Sequence, residues 1–227
     1  MSFEREIAIE MDSVELQGTL GLPKRPARPG GLVLFAHGSG SSRHSPRNRY
    51  VARVLQSLGI GTLLFDLLTP DEESEDERTA ELRFDIPFLA ERLTGATRSI
   101  LRDPDTRHLK IGYFGASTGA GAALVAAAEQ PDQVHAVVSR GGRPDLAAEA
   151  LASARAPTLL IVGGNDEPVI ELNRQALANL RCPDKKLVIV PGATHLFEEP
   201  GTLEEVARLA GVWFTRYLAP AARPFSA

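Results

Sequence analysis

The chain has 227 residues, of which 43 % are hydrophobic and 24 % charged, with a formal net charge of −4. This length is enough for one sizeable hydrophobic core, and the slight negative charge gives no reason to expect a nucleic-acid partner. The single cysteine, Cys182, excludes an internal disulfide and favours a reducing compartment. The first residues lack the apolar segment of a signal peptide and no apolar run is as long as a membrane helix, so we expect a cytoplasmic protein.

The chain opens with two segments in which apolar and polar residues alternate. Predicted strands and helices then follow each other in regular order. Residues 5–11 and 14–22 predict an antiparallel hairpin that turns at Asp12 and Ser13. The later pattern is typical of an α/β fold with a mostly parallel, doubly wound sheet. The predicted buried strands are 32–35, 62–65, 111–114, 136–138, 159–162 and 187–190, and the predicted helices are 46–58, 76–101, 118–130, 144–154, 168–180 and 202–218.

Proline at position 87 lies inside the predicted helix 76–101. Proline lacks a backbone N–H and its ring clashes with the preceding helical turn. We therefore expect a break or kink there, with Asp85 as the cap of a second helix.

A glycine-rich stretch after the fifth predicted strand, Gly115-Ala116-Ser117-Thr118-Gly119, fits two different functions. With the glycine at position 121 it matches the phosphate-binding loop of short-chain dehydrogenases, but that loop belongs after the first strand. The Tyr-x-x-x-Lys pair of those enzymes is absent, and no Lys-Ser or Lys-Thr closes the run as in a P-loop. The same residues match G-x-S-x-G, in which a sharp strand-to-helix turn exposes a nucleophilic serine.

A nucleophilic serine needs a base and an acid, and both candidates follow later strands at the same edge of the sheet. His195 follows the last predicted strand, and Asp166 follows the strand before it. Taken singly, Ser117 is equally well explained as a small turn residue, Asp166 as a helix N-cap and His195 as a solvated loop residue. Their order, Ser-Asp-His, is that of α/β-hydrolases and favours a catalytic triad.

On these motifs the chain resembles an α/β-hydrolase, and in size and layout it is most similar to the dienelactone hydrolase-like branch. The resemblance covers about residues 14–218 and implies one domain over 1–227, with 219–227 as a tail. Residues 141–156 hold only a short predicted helix, so no large cap domain is expected. Dienelactone hydrolases proper use a cysteine nucleophile, whereas this chain has Ser117.

The resemblance also implies an oxyanion hole made of two backbone N–H groups. The run His37-Gly38-Ser39-Gly40 is similar to the H-G-x-G motif of the family. It implies that the Ser39 N–H is one donor, with Gly40 as the alternative, and that the Thr118 N–H is the other. His37 is expected to order this loop and not to act as a base.

The predicted function is a serine hydrolase that cleaves a carboxylic ester or thioester through an acyl-enzyme, with no cofactor and no metal. Two alternatives remain open: acyl transfer or peptide cleavage on the same triad, and a non-catalytic ligand-binding protein of the same fold. The expected partner is a small-molecule substrate, without nucleic acid or membrane, and the sequence is compatible with a homodimer.

Two groups of charged residues each allow two interpretations. Arginines on loops at the carboxyl edge are either solubilising or form a cationic rim for an anionic substrate, with Arg43 and Arg140 converging near the acyl chain. The acidic run 71–77 is either a solvated loop leading into a helix or a mobile flap beside the site.

Overall fold

A computed structural model describes residues 2–11, 14–23 and 30–219. Its strands form one sheet of eight, in the order β1-β2-β4-β3-β5-β6-β7-β8. The bounds are β1 Ser2–Glu10, β2 Glu15–Pro23, β3 Gly31–Ala36, β4 Gly61–Phe65, β5 Lys110–Ala116, β6 Val134–Arg140, β7 Thr158–Gly163 and β8 Lys185–Val190. The helices are α1 Pro46–Ser57, α2 Pro70–Thr79, α3 Ile86–Arg102, α4 Thr118–Glu129, α5 Ala150–Ser153, α6 Glu167–Asn179 and α7 Thr202–Leu218.

The sheet is antiparallel at one edge and parallel elsewhere. β1 pairs antiparallel with β2, and β2 pairs antiparallel with β4, whereas β3, β4, β5, β6, β7 and β8 run parallel. The predicted N-terminal hairpin is confirmed, although its proposed turn at residues 12 and 13 lies outside the described residues. Because parallel strands end at the same edge, the loops after β3, β5, β6, β7 and β8 meet there.

Helices cover both faces of the sheet, and β3 shows how the sequence assigns the faces. Successive side chains of a strand point to opposite sides. Leu32 and Leu34 accordingly pack in the core under α3 and α4, while Val33 and Phe35 pack in the core under α1 and α7. All four side chains are buried, which is why this stretch reads as a continuous apolar run.

The helices between β4 and β5 differ in part from the prediction. The acidic run is helical, not a loop, because Thr69 and Glu72 form a capping box and the run supplies carboxylates to the first turn of α2. The chain then breaks, and α3 starts at Ile86 with proline in its first turn. Asp85 is the cap, as predicted, and accepts a hydrogen bond from the Phe88 N–H at 3.0 Å.

The segment between β6 and β7 contains less helix than the sequence predicts. The expected helix 144–154 is a 3-10 helix, Pro144–Ala147, followed by the single turn of α5. Ala148 separates the two because its φ of 45° is incompatible with a continuous helix. No cap domain is therefore present over this part of the described chain.

None of the helices in the described residues is both long and apolar enough to cross a membrane.

Candidate active site

The turn between β5 and α4 holds Ser117 in a strained backbone conformation, with φ 51° and ψ −123°. Residues other than glycine rarely adopt such angles, which cost on the order of 1–3 kcal/mol. Two hydrogen bonds hold the turn against the loop after β6. The Ser117 N–H donates to the Arg140 carbonyl at 3.3 Å, and the Ser117 carbonyl accepts from the Arg143 N–H at 3.0 Å. Strain maintained by surrounding contacts is a feature of functional positions.

Glycines on both sides of Ser117 permit close packing of the backbone. A Cβ at Gly115 would collide with the first turn of α4, and a Cβ at Gly119 would collide with the carbonyl groups of Ala36 and His37. The two outer positions of G-x-S-x-G therefore need glycine for different reasons: the first brings α4 against β5, and the second brings α4 against the loop after β3.

The loop after β3 packs directly on this turn. A Cβ at Gly38 would lie 2.9 Å from the Cβ of Ser117. The Ser39 N–H donates to Oγ1 of Thr118 at 3.1 Å, and the Oγ atom of Ser39 also lies 3.1 Å from that hydroxyl. The structure thus brings together the two residues predicted to form the oxyanion hole. It also shows that the Ser39 N–H has a side-chain acceptor on Thr118.

His37 fixes the start of the same loop. Its Nδ1 lies 3.0 Å from the Gly38 carbonyl, and its Nε2 lies 3.1 Å from the Leu67 N–H. Because a carbonyl only accepts and an amide N–H only donates, the ring is neutral with its proton on Nδ1. Burial lowers the pKa of His37 and favours this same neutral form. His37 therefore orders the loop, as the sequence predicts.

Part of α2 lies beside this loop. Glu73 and Asp76 line a small pocket together with Ser39 and Thr118. Asp76 is buried and binds the side chain and backbone N–H of Arg83, which ties α2 to the next turn. Burial raises the pKa of Glu73, and neighbouring carboxylates, beginning with Asp66, raise it further. The acidic run is thus next to the candidate site, as part of a capped helix.

Asp166 and His195 form a direct pair in the loops after β7 and β8. Oδ2 of Asp166 lies 2.7 Å from Nδ1 of His195. The aspartate side chain is 14 % exposed and the imidazole is 38 % exposed. Asp166 occupies the N-cap position of α6 but makes no capping hydrogen bond, so its carboxylate serves the imidazole instead. The proton on Nδ1 leaves Nε2 as the free acceptor.

The loops that carry this pair are joined by backbone and side-chain hydrogen bonds. The Gly164 N–H donates to the Val190 carbonyl at 2.8 Å, and the Asn165 N–H donates to the Ala193 carbonyl at 2.9 Å. The Asn165 side chain donates to the Gly192 carbonyl at 3.0 Å. Asn165 was not singled out from the sequence, where its position beside Asp166 in a glycine-rich turn is the only signal.

The strand end of β6 connects the two sides. The backbone carbonyl of Arg140 accepts the hydrogen bond from the Ser117 N–H, and the neighbouring Gly141 lies against the histidine loop. A Cβ at Gly141 would lie 2.9 Å from the carbonyl oxygen of His195 and 3.6 Å from its Cε1. Among the hydrogen bonds of the described residues, none joins the Ser117 side chain to His195.

Arg43 and Arg140, the predicted substrate contacts, have different surroundings. Arg43 donates from its backbone N–H to Asp66 at 2.7 Å, and its guanidinium pairs with the same carboxylate. Arg140 is only 6 % exposed and donates to Oδ1 of Asn48 at 3.4 Å. The two guanidiniums thus have separate partners, Asp66 for Arg43 and Asn48 for Arg140. Burial lowers the pKa of Arg140 to about 10, and the positive charge of Arg47 acts in the same direction.

The fold, the strained serine turn and the carboxylate–imidazole pair at the carboxyl edge define the chain as an α/β-hydrolase in architecture. The model of the dienelactone hydrolase family matches residues 16–216. The chain therefore belongs to the dienelactone hydrolase family, a family of hydrolases.

The chain is similar to three further proteins. A crystal structure of a dienelactone hydrolase from Anabaena variabilis ATCC 29413 superposes with a TM-score of 0.92 and 60 % identity, covering 95 % of this chain and 98 % of that one. A lidless α/β serine hydrolase from Xanthomonas campestris superposes with a TM-score of 0.75 over 96 % of each chain, and at 21 % identity it shows the fold alone. A protein of Mycobacterium tuberculosis strain H37Rv, named "Putative phosphoribosyl transferase Rv0571c", is 58 % identical over 216 residues.

The third relative is much longer than the chain. The match covers 95 % of this chain and 47 % of the relative, so the chain spans about half the length of the curated relatives it matches.

Proposed function

We propose that the protein is a serine hydrolase that cleaves carboxylic esters or thioesters through an acyl-enzyme, with Ser117, Asp166 and His195 as its triad. The observation that carries the proposal is the strained backbone of Ser117 at the start of α4. A serine held in this way against its own conformational preference is explained by nucleophilic attack and not by packing. We further propose one hydrolase domain over residues 1–227, with its core in 14–218.

In the proposed reaction the Ser117 hydroxyl attacks the substrate carbonyl carbon while Nε2 of His195 takes the proton. Asp166 keeps the imidazole in the required tautomer by accepting the hydrogen bond from Nδ1 and stabilises the imidazolium that forms. The alcohol or thiol then leaves with the proton from His195. A water molecule then attacks the acyl carbon while Nε2 of His195 takes its proton. The bond from the acyl carbon to Oγ of Ser117 breaks as that proton passes from Nε2 to Oγ, which releases the acid and restores the serine hydroxyl.

The tetrahedral intermediate carries a negative oxygen that needs hydrogen-bond donors. We assign the N–H groups of Thr118 and Ser39 to this role. The Thr118 N–H has no protein acceptor among the described residues, whereas the Ser39 N–H donates to the Thr118 hydroxyl. Rotation of that hydroxyl side chain frees the second donor, so the hole is completed when substrate binds.

The family assignment supports hydrolysis over the transferase name of the longer relatives. Those relatives share with this chain the region that matches the hydrolase family, whereas their transferase name applies to their full length, of which the match covers 47 %. We therefore propose hydrolysis, and not phosphoribosyl transfer, for this chain. The absence of a cap in the described segment between β6 and β7 supports an open site for small or medium acyl groups.

A fluorophosphonate probe tests the proposal, because it labels only an activated serine. We expect rapid labelling of the wild type at Ser117 and none of Ser117→Ala. Turnover of 4-nitrophenyl esters of graded acyl length, acyl-CoA thioesters and lactones then assigns the substrate class. A protein that binds these compounds without labelling or turnover would instead be a ligand-binding member of the fold.

A further inference from the structure

One buried polar side chain of α6 has no role in the proposed mechanism. The buried positions of this helix are Val169, Ile170, Asn173 and Ala176, and Asn173 is 0 % exposed. Their spacing is that of an apolar helix face, where a buried amide is costly unless it is hydrogen-bonded. Asparagine is also a poor helix former in the interior of a helix. Neither burial nor helix formation therefore explains an asparagine at this position.

The amide of Asn173 makes two hydrogen bonds, and one of them leaves the helix. Nδ2 donates to the Val169 carbonyl, one turn earlier in α6, at 2.8 Å, and to the Gly142 carbonyl at 3.0 Å. Both carbonyls only accept, so the nitrogen has to face them. Oδ1 is buried and has no hydrogen-bond partner in the described residues. The contact that the amide adds between elements is therefore the one with Gly142.

The β6 loop, residues 141–143, adjoins both halves of the candidate site. The Arg143 N–H donates to the Ser117 carbonyl at 3.0 Å. A Cβ at Gly141 would lie 2.9 Å from the carbonyl oxygen of His195. A shift of this loop would therefore change the position of the serine turn relative to the histidine loop.

Gly142, the middle residue of the β6 loop, is fixed by packing and by one side-chain hydrogen bond. A Cβ at Gly142 would lie 1.9 Å from Oγ of Ser139 and 2.5 Å from Cβ of Ala120, so the backbone packs tightly against β6 and α4. The Gly142 carbonyl accepts the hydrogen bond from Asn173. In the described part of the chain, no other side chain hydrogen-bonds to the backbone of this loop.

The helix that supplies this hydrogen bond also carries the acid of the proposed triad. Asp166 is the N-cap of α6, and Asn173 follows about two turns later. Asp166 pairs with His195 at 2.7 Å, whereas no hydrogen bond of the described residues joins that histidine to the Ser117 side chain. The alignment of the serine with the acid–base pair therefore depends in part on how α6, the β6 loop and the serine turn contact each other.

We propose that Asn173 is a positioning residue that aligns Ser117 with the Asp166–His195 pair by holding the β6 loop on α6. The proposal rests on the proposed hydrolase function and adds to it a residue that acts through the loop and not on the substrate. Leucine, of similar size, would remove the unpaired Oδ1 but leave the Gly142 carbonyl without its donor. These two effects on stability oppose each other, so the main expected consequence is a change in loop position.

The first experiment measures the loop without catalysis. Amide hydrogen exchange is followed by NMR in the wild type and in Asn173→Leu. The probe is the Arg143 N–H, which donates to Ser117, and the reference is the Val137 N–H in the centre of β6. We expect exchange at Arg143 to become about tenfold faster or more relative to Val137. Unchanged relative exchange would overturn the proposal whatever the protein catalyses.

The second experiment measures the reacting groups. The rate of Ser117 labelling by a fluorophosphonate, and the kcat and KM of a 4-nitrophenyl ester, are compared in the wild type and in Asn173→Leu. We expect the labelling rate and kcat each to fall on the order of 10–100-fold while KM stays within about twofold, because misplaced reacting groups slow the chemical step. Asn179→Leu, the same substitution at an exposed position of α6, is the matched control and should change none of these values.

Asn173→Thr separates the two hydrogen bonds of the amide. The threonine hydroxyl can donate to the carbonyl of the preceding helical turn, but the side chain is too short to reach Gly142. We expect the same losses as in Asn173→Leu. Near-normal rates in Asn173→Thr would assign the effect to the helix and overturn the proposal. Should Asn173→Leu fail to fold, this variant carries both comparisons.

A lower Tm with an unchanged kcat and labelling rate of the folded protein would give Asn173 a purely structural role and overturn the proposal. Should the wild type neither react with the fluorophosphonate nor hydrolyse an ester, the hydrolase function fails. Hydrogen exchange at Arg143 then still decides whether Asn173 holds the loop.

Discussion

The two sides of the candidate site are built in different ways. The nucleophile side, Ser117 with Thr118 and Ser39, is held by backbone geometry: a strained turn, glycines in close packing, and an oxyanion loop that contacts the turn. The acid–base side, Asp166 with Asn165 and His195, is held by hydrogen bonds between two loops and by one contact between side chains.

The two sides therefore tolerate different changes. On the nucleophile side the glycines pack closely against neighbouring backbone. A methyl group added at one of them would therefore displace the serine turn even though the serine side chain is unchanged. On the acid–base side the backbone is also close-packed, since a Cβ at Gly163 would lie 2.4 Å from the Ala193 carbonyl oxygen, but there the pairing of Asp166 with His195 depends on which hydrogen bonds the side chains can make. Substitutions on each side test this contrast.

The largest effect should come from removing the nucleophile. Ser117→Ala removes the hydroxyl but leaves the backbone path available, so kcat should fall on the order of 10⁵–10⁶-fold while the Tm stays close to the wild-type value. Initial rates with a 4-nitrophenyl ester and a thermal melt measure the two quantities. Activity above about one tenth of the wild type would remove Ser117 from the mechanism.

The next largest effect should come from the acid. Asp166→Asn keeps the shape of the side chain but no longer favours the proton on Nδ1 of His195, so kcat should fall about 10⁴-fold with the fold retained. Glu167→Gln, at the adjacent position on α6, is the control and should lie within about twofold of the wild type. The reverse result would make Glu167 the acid.

A smaller loss should follow from crowding the oxyanion loop. In Gly38→Ala the new Cβ would lie 2.9 Å from the Cβ of Ser117 and 3.1 Å from the Ala116 carbonyl oxygen. Displacement of the loop should misplace the Ser39 N–H and lower kcat about 10²–10³-fold, the usual cost of one oxyanion donor. Initial rates with the same 4-nitrophenyl ester measure the loss.

Gly59→Ala is the control for Gly38→Ala. Gly59 has a φ of 81° and open space where a Cβ would lie, so alanine there adds backbone strain without a clash. It should lower the unfolding free energy by about 1 kcal/mol and leave kcat unchanged. A similar loss of kcat in both variants would mean that general destabilisation, and not loop position, explains the effect.

The smallest effect should be the pH dependence of stability that comes from His37. Burial lowers the pKa of His37 in the folded protein below its ordinary value of 6.5. Below pH 6.5 the unfolded chain therefore binds the proton first, and this histidine makes the unfolding free energy fall as the pH decreases. Between about pH 7.5 and about pH 5.5 the loss should be on the order of 1 kcal/mol.

His37→Gln isolates this contribution, because its side-chain oxygen can accept from the Leu67 N–H without titrating. Urea unfolding of both proteins at the two pH values measures the difference. An equal slope in wild type and variant would show that other groups cause the dependence.

Local sequence determined much of the fold and the order of the candidate site residues. Continuous apolar runs specified the parallel strands, Asp85 before Pro87 specified the start of α3, and two glycines around Ser117 specified the strand-to-helix turn. These features follow from contiguous residues, because backbone conformation and side-chain periodicity are local properties.

Which distant side chains become partners depends on the tertiary structure and not on local sequence. Nothing local distinguishes Arg43, which pairs with Asp66, from Arg140, which is buried against Asn48 and Phe197 with no counter-ion in the described residues. Asn165 likewise acquires its role by reaching a carbonyl 27 residues away. The physical reason is that ion pairing and burial depend on how strands and helices far apart in the chain pack together, which no contiguous segment encodes.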